Sequence, residues 1–143
     1  MNKKNVDKLI PYAIAILDTN DKIINRQTGK IKGSCGSHMK AFGPAIRQAS
    51  ILKTITFYYK EQNDEDKGRE YIAEYVKDVM VAGKMVNEKY KTKDLLTVYI
   101  EEAGAKTILE KRLFNQRILE AIVACKLALI TYKDEKDKSQ VKL

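Results

Sequence analysis

The chain has 143 residues, with 27 Lys and Arg against 19 Asp and Glu, one His, two Cys and no Trp. A single domain of that length hides roughly two-thirds of the surface its unfolded chain exposes, so its core needs neither disulfides nor metal, and a disulfide-stapled or zinc-built miniprotein is excluded. One imidazole and the distant thiols of Cys35 and Cys125 supply neither a tetrahedral metal site nor a Ser-His-Asp triad with a spare histidine. No apolar run reaches about 18 residues and no small-residue cleavage site follows the first residues, so a cytoplasmic protein with reduced thiols is expected.

The net charge of +8 is local. Lys22, Arg26, Lys30, Lys32, Lys40, Arg47, Lys53 and Lys60 carry it, and residues 22–60 contain no acidic side chain, while the stretches before and after are balanced. Such a segment attracts polyanions by steering and counterion release, and nucleic acid is the commonest of them. A solvated basic loop is the alternative.

In chain order, Val6, Leu9, Ile10, Ala13, Ile14 and Leu17 recur at three and four, predicting a helix over residues 6–17 that bends or restarts at Pro11. Residues 20–39 are polar and Gly-containing, with Ile23, Ile24 and Ile31 as isolated anchors, and read as an irregular basic loop. Gly43-Pro44 suits a helix start, and the helix expected from there to about Lys60 is apolar around most of its circumference, as a central helix would be. Acidic residues 64–66 open a further helix, expected to about Lys89, with Ile72, Tyr75, Val76 and Val79 inward and Lys77, Asp78 and Lys84 on a solvated face. A short helix follows from Leu95 to near Gly104. Thr107 and Glu110 have capping-box spacing and open the last helix, whose stripe runs through Ile118, Ala121, Ile122, Cys125, Ala128, Leu129 and Tyr132, with Arg117, Glu120 and Lys126 nearer its edges. The eight tyrosines could stack on bases as in single-strand binders, but most fall on these stripes and are assigned to the core or an interface. The sequence thus predicts an all-α, compact bundle of about five helices around a central helix, a single domain over residues 1–132, and a disordered charged tail over 133–143.

The candidate catalytic groups do not assemble. His38 could be a general base or a phosphate contact, but no carboxylate or second His lies nearby in sequence. Gly36-Ser37-His38-Met39 also spells a tag remnant, although a coherent helix lies upstream of it. Glu101 and Glu102 diverge by about 100° on a helix and read as a solvated face. Gly29, Gly33 and Gly36 lack the Gly-Lys-Ser/Thr ending of a phosphate loop. No enzyme activity, metal or other cofactor is therefore expected.

Two segments carry a resemblance: Phe42-Gly43-Pro44-Ala45-Ile46-Arg47-Gln48-Ala49-Ser50-Ile51-Leu52-Lys53-Thr54-Ile55-Thr56-Phe57-Tyr58, and Ile118-Leu119-Glu120-Ala121-Ile122-Val123-Ala124-Cys125-Lys126-Leu127-Ala128-Leu129. Together with chain length and helical content, they resemble the small helical subunit of the Cmr (type III-B) CRISPR effector complex. The chain departs from that family at Ser50-Ile51, where Gly-Leu is usual, and in its Gly-rich loop. The resemblance implies a non-catalytic subunit of antiviral defence. Copies of it would stack head to tail beside other Cmr subunits and line the guide RNA and target RNA through backbone contacts, with no membrane or small-molecule substrate involved. Arg47 and Lys126 are its nucleic-acid contacts by motif position, and Lys40 and Lys53 join them by charge and proximity. Two other readings stand beside this one. They are a helical protein-protein interaction module without direct nucleic-acid contact, and a ribonuclease using His38 with Lys40.

Overall fold

The computed structural model describes residues 1–60, 67–104 and 106–134. Among these residues six α-helices form: α1 (Lys3–Leu17), α2 (Cys35–Gln48), α3 (Ile51–Tyr59), α4 (Gly68–Ala82), α5 (Leu95–Gly104) and α6 (Ile108–Leu129), with a 3-10 turn over Glu88–Thr92 between α4 and α5. The fold is all-α. Among the described residues the only β pairing is two isolated bridges, Ile24 with Ile31 and Ile31 with Asp134. No helix among them is long and apolar enough to cross a membrane.

The helix starts follow cap chemistry. The Asn2 side chain accepts from the Lys4 N–H at the head of α1, and the helix continues unbroken through the exposed Pro11. Thr107 and Glu110 form the expected capping box at the head of α6. The helix expected over residues 44–60, however, is two helices. Ala49 and Ser50 leave helical geometry, and the Ser50 hydroxyl accepts from the Lys53 N–H to start α3. Ser50 is thus a cap, and the apolar residues expected to encircle one helix divide: Ile46, Ile51, Ile55 and Tyr58 face inward from two helices, whereas Leu52 and Phe57 are exposed. Gly43-Pro44 lies inside α2, which begins eight residues earlier, at Cys35.

The central helix is α4, which packs against α1, α2, α3, α5, α6 and the 3-10 turn. Its predicted solvated face is covered at Lys77, part-exposed at Asp78 and open at Lys84. Lys77 is only 3% exposed, and its ammonium lies 2.8 Å from Asp78 Oδ1, 3.4 Å from Glu74 Oε2 and 2.8 Å from the Lys91 carbonyl. The helix also ends earlier than its apolar spacing suggests. Lys84 sits at φ 58°, its N–H bonded to the Val81 carbonyl, and the Met85 N–H reaches the Met80 carbonyl. These two bonds are the Schellman arrangement, with a lysine where glycine is usual.

Glu120, expected at an edge of α6, is fully buried between α6 and α1. It accepts from the Asn2 N–H at 2.7 Å, from the Asn5 amide at 3.2 Å and from the Gln116 amide at 3.4 Å. The loop before α2 is a pinned turn rather than irregular chain. Asn25 accepts from the N–H groups of Gln27, Thr28 and Gly29, Gly29 adopts φ 70°, and Ile23, Ile24 and Ile31 are buried beneath it. The C-terminal segment is ordered further than the predicted boundary at 132. The Lys133 carbonyl accepts from the Ile31 N–H at 2.8 Å, and Asp134 pairs with Ile31. The remainder of the predicted tail, 135–143, and the predicted helix start at 64–66 lie outside the described residues.

Candidate nucleic-acid interface

Helix α2 buries Cys35, Met39, Phe42 and Ile46, which turns Lys40, Pro44 and Arg47 to solvent on the opposite side. Lys40 and Arg47 are seven residues apart, nearly two full turns, so they share one stripe. Phe42 stacks on Tyr58 of α3 with ring centroids 4.2 Å apart, and the Tyr58 hydroxyl donates to the His38 carbonyl at 2.6 Å. These contacts fix the inner face of α2 and thereby the direction of its lysine and arginine.

Lys126 projects from the exposed side of α6, near its C-terminal end. It and Lys40 line the same cleft of about 170 Å³, closed by the end of α6 and the segment that follows it. Ile31, Met39, Leu129 and Ile130 with Tyr132 contribute its apolar lining, and Lys133 and Asp134 line it too. Gly36 permits this arrangement, because a Cβ there would collide with the Asp134 carboxylate. That carboxylate lies against the first turn of α2, where the helix dipole favours an anion. With three lysines and one aspartate among its lining residues, the cleft is net cationic.

The four residues expected to contact nucleic acid therefore divide. Lys40 and Lys126 converge on the cleft, although 86 positions separate them in the chain, and Arg47 shares the Lys40 stripe. Lys53 stands apart in the first turn of α3, exposed and outside the cleft lining. The start of the basic segment is engaged elsewhere. Arg26 reaches the Leu17 carbonyl at the end of α1 at 3.4 Å, and the Lys22 ammonium sits 5.5 Å from the Tyr71 ring centre.

Two residues escaped sequence reasoning. Lys133, assigned there to the tail, lines the cleft. Phe57, assigned to the core, is 51% exposed, and the Arg69 guanidinium lies 4.1 Å from its ring centre. The signal for Phe57 is its spacing from Lys53 and Lys60, since residues four and three apart share one side of a helix with those two lysines.

The other candidate groups have structural partners. His38 is half-buried and packs edge-on against Tyr58, ring centres 6.1 Å apart. Glu101 is exposed, while Glu102 accepts from the Tyr90 hydroxyl at 2.9 Å. Tyr58, Tyr75 and Tyr90 are core residues, and burial pushes the Tyr58 and Tyr90 phenols up to about 12. Cys125 is fully buried, and burial raises its thiol well above the ordinary range, which suppresses the reactive thiolate. Met39 and Gly36 are buried components of α2, so the tag-like segment is integral to the core.

No protein-family model matches the chain, and no curated protein or solved structure gives a match.

Proposed function

We propose that the protein is a non-catalytic RNA-binding subunit that holds RNA by its phosphate backbone along α2 and the cleft beside α6. The observation that carries this reading is the convergence of Lys40 and Lys126, from distant parts of the chain, on one cationic cleft with Arg47 on the same stripe of α2. Lysine and arginine stripes of this kind neutralise phosphates without reading bases, so binding is sequence-independent and weakens with salt. An isolated domain with a few such contacts binds in the range of about 10⁻⁴ to 10⁻⁶ M, and repetition of the patch along an assembly tightens it.

The resemblance to the Cmr small subunit extends the proposal to a place along the guide RNA and target RNA of a type III-B effector in the cytoplasm. The two resembling segments supply buried residues such as Phe42, Ile46, Ile55, Tyr58, Ile118 and Cys125, so they bear on the scaffold more than on the contacts. Co-purification with guide RNA and the remaining effector subunits tests the assembly. Replacing Lys40, Arg47 and Lys126 by Glu tests the interface. Affinity for RNAs of unrelated sequence is expected to fall together while helicity is retained. Unchanged affinity overturns the assignment.

A protein-interaction reading is favoured by one further observation. The first two turns of α6 leave Ile108 and Leu109 76% and 68% exposed, with Leu113 beside them. Stacking of copies and RNA binding are compatible on one chain. Sedimentation of Leu109→Glu with RNA binding measured in parallel separates the two roles.

A further inference from the structure

Helix α3 presents a second surface of different character. It starts at Ile51, buries Ile51, Thr54, Ile55 and Tyr58, and leaves Leu52, Lys53, Thr56 and Phe57 exposed, with Lys60 as the exposed C-cap. Lys53, Phe57 and Lys60 lie at spacings of four and three, so they follow one another along a single side. A singly exposed apolar residue is ordinary on a protein surface, so what marks Phe57 is the set of side chains around its ring. Here Arg69 of α4 holds one ring face at 4.1 Å, and 51% of the residue still meets solvent.

We propose that Phe57, backed by the Arg69 guanidinium and flanked by Lys53 and Lys60, is a stacking platform for an unpaired RNA base. The inference rests on the RNA-binding reading above and adds to it a preference for single strands. An aromatic ring stacks on any base, because every base has a π face, and flanking ammonium groups take the phosphates on either side. The platform is preorganised. Tyr58, the next residue, is locked inward by its ring stack with Phe42 and its hydroxyl bond to the His38 carbonyl, which fixes the helix rotation that turns Phe57 outward. The Arg69 stack limits the ring's own rotation, so little conformational freedom is lost on binding. A continuous A-form duplex offers no free base face, and it gains only the lysine contacts here. The positive charge on both sides of the ring fits a polyanionic partner better than an apolar protein surface.

The test compares a single-stranded pyrimidine RNA with a duplex RNA of equal length, using the full chain. Phe57→Leu keeps the apolar volume and removes the ring. It is expected to weaken single-strand binding about tenfold and to leave duplex binding unchanged. Phe57→Trp restores single-strand affinity and, because the natural chain has no Trp, supplies one fluorophore that single-stranded RNA should quench. Equal affinities of wild type and Phe57→Leu for the single strand, or unquenched Trp in a protein saturated with it, overturn the platform while the backbone-binding reading stands. A Phe57→Leu variant altered in self-association but not in RNA affinity also overturns it, by assigning the ring to a protein contact. Failure of the wild type to bind either RNA overturns both proposals.

Discussion

Two charged side chains sit where helical periodicity places solvent, and each is there because the groups around it complete its hydrogen bonds. Glu120 is the clearer case, since its carboxylate accepts from the Asn2 backbone, the Asn5 amide and the Gln116 amide, joining the start of α1 to the middle of α6. Removing the buried acceptor takes the partner from three donors held at the edge of the core and leaves a void beside them. Glu120→Ala is expected to lower the unfolding free energy in urea by about 3 kcal/mol, and Glu120→Gln, which keeps one acceptor oxygen, by clearly less. Equal losses in the two variants would show that volume, not acceptance, is what the site requires. Lys77 follows the same logic with opposite charge, because Glu74, Asp78 and the Lys91 carbonyl supply its ammonium with acceptors. Neither pattern is legible in sequence. The partners of Glu120 include residues 115 and 118 positions away, and a lone Glu on a helix looks solvated until the helix that covers it is placed.

At the scale of elements, the legible features are those written in neighbouring residues. The capping box at Thr107, the stop of α5 at Gly104, and the apolar faces of α1 and α6 all follow from spacings of a few positions, and the structure has each of them. The break between α2 and α3 has a weaker local signal. Ser50 is followed three residues on by Lys53 rather than by Glu, so only half of a capping box is present, and Pro44 two turns earlier imitates a helix start. Pro44 is tolerated inside α2 because its ring faces solvent, at the expense of one bond to the Lys40 carbonyl. The Ser50 cap should therefore be worth what a single hydroxyl-to-N–H bond is worth. Ser50→Ala is expected to destabilise the protein by about 1 kcal/mol, read from the urea midpoint, while Ser50→Asp is close to neutral. If Ser50→Ala were instead stabilising, the two helices would gain by fusing, and the direction of Phe57 would not depend on the cap.

For the whole molecule, the charge excess of residues 22–60 is plain in the sequence, but its use depends on packing that brings Lys126 and Lys133 to Lys40 and turns Lys22 and Arg26 elsewhere. The same packing buries phenols, and their titration reports the integrity of the bundle. Tyr58 and Tyr90 are raised from 10.0 to about 12 chiefly by burial, and the hydrogen bond from Tyr90 to Glu102 adds to the shift. In the unfolded chain these phenols lose their protons near 10, whereas in the folded chain they keep them until about 12, so above pH 10 the unfolded state binds fewer protons. The stability tied to the neutral phenols is complete below pH 10 and is lost as pH rises through 12. Urea midpoints measured from pH 10 to 12 are accordingly expected to fall. Tyr90→Phe isolates the contribution of one phenol, because it removes that buried hydroxyl and leaves every other titrating group in place. Its midpoint should fall less steeply than that of the wild type across the window, and parallel curves would show that Tyr90 is already free to ionise in the folded protein.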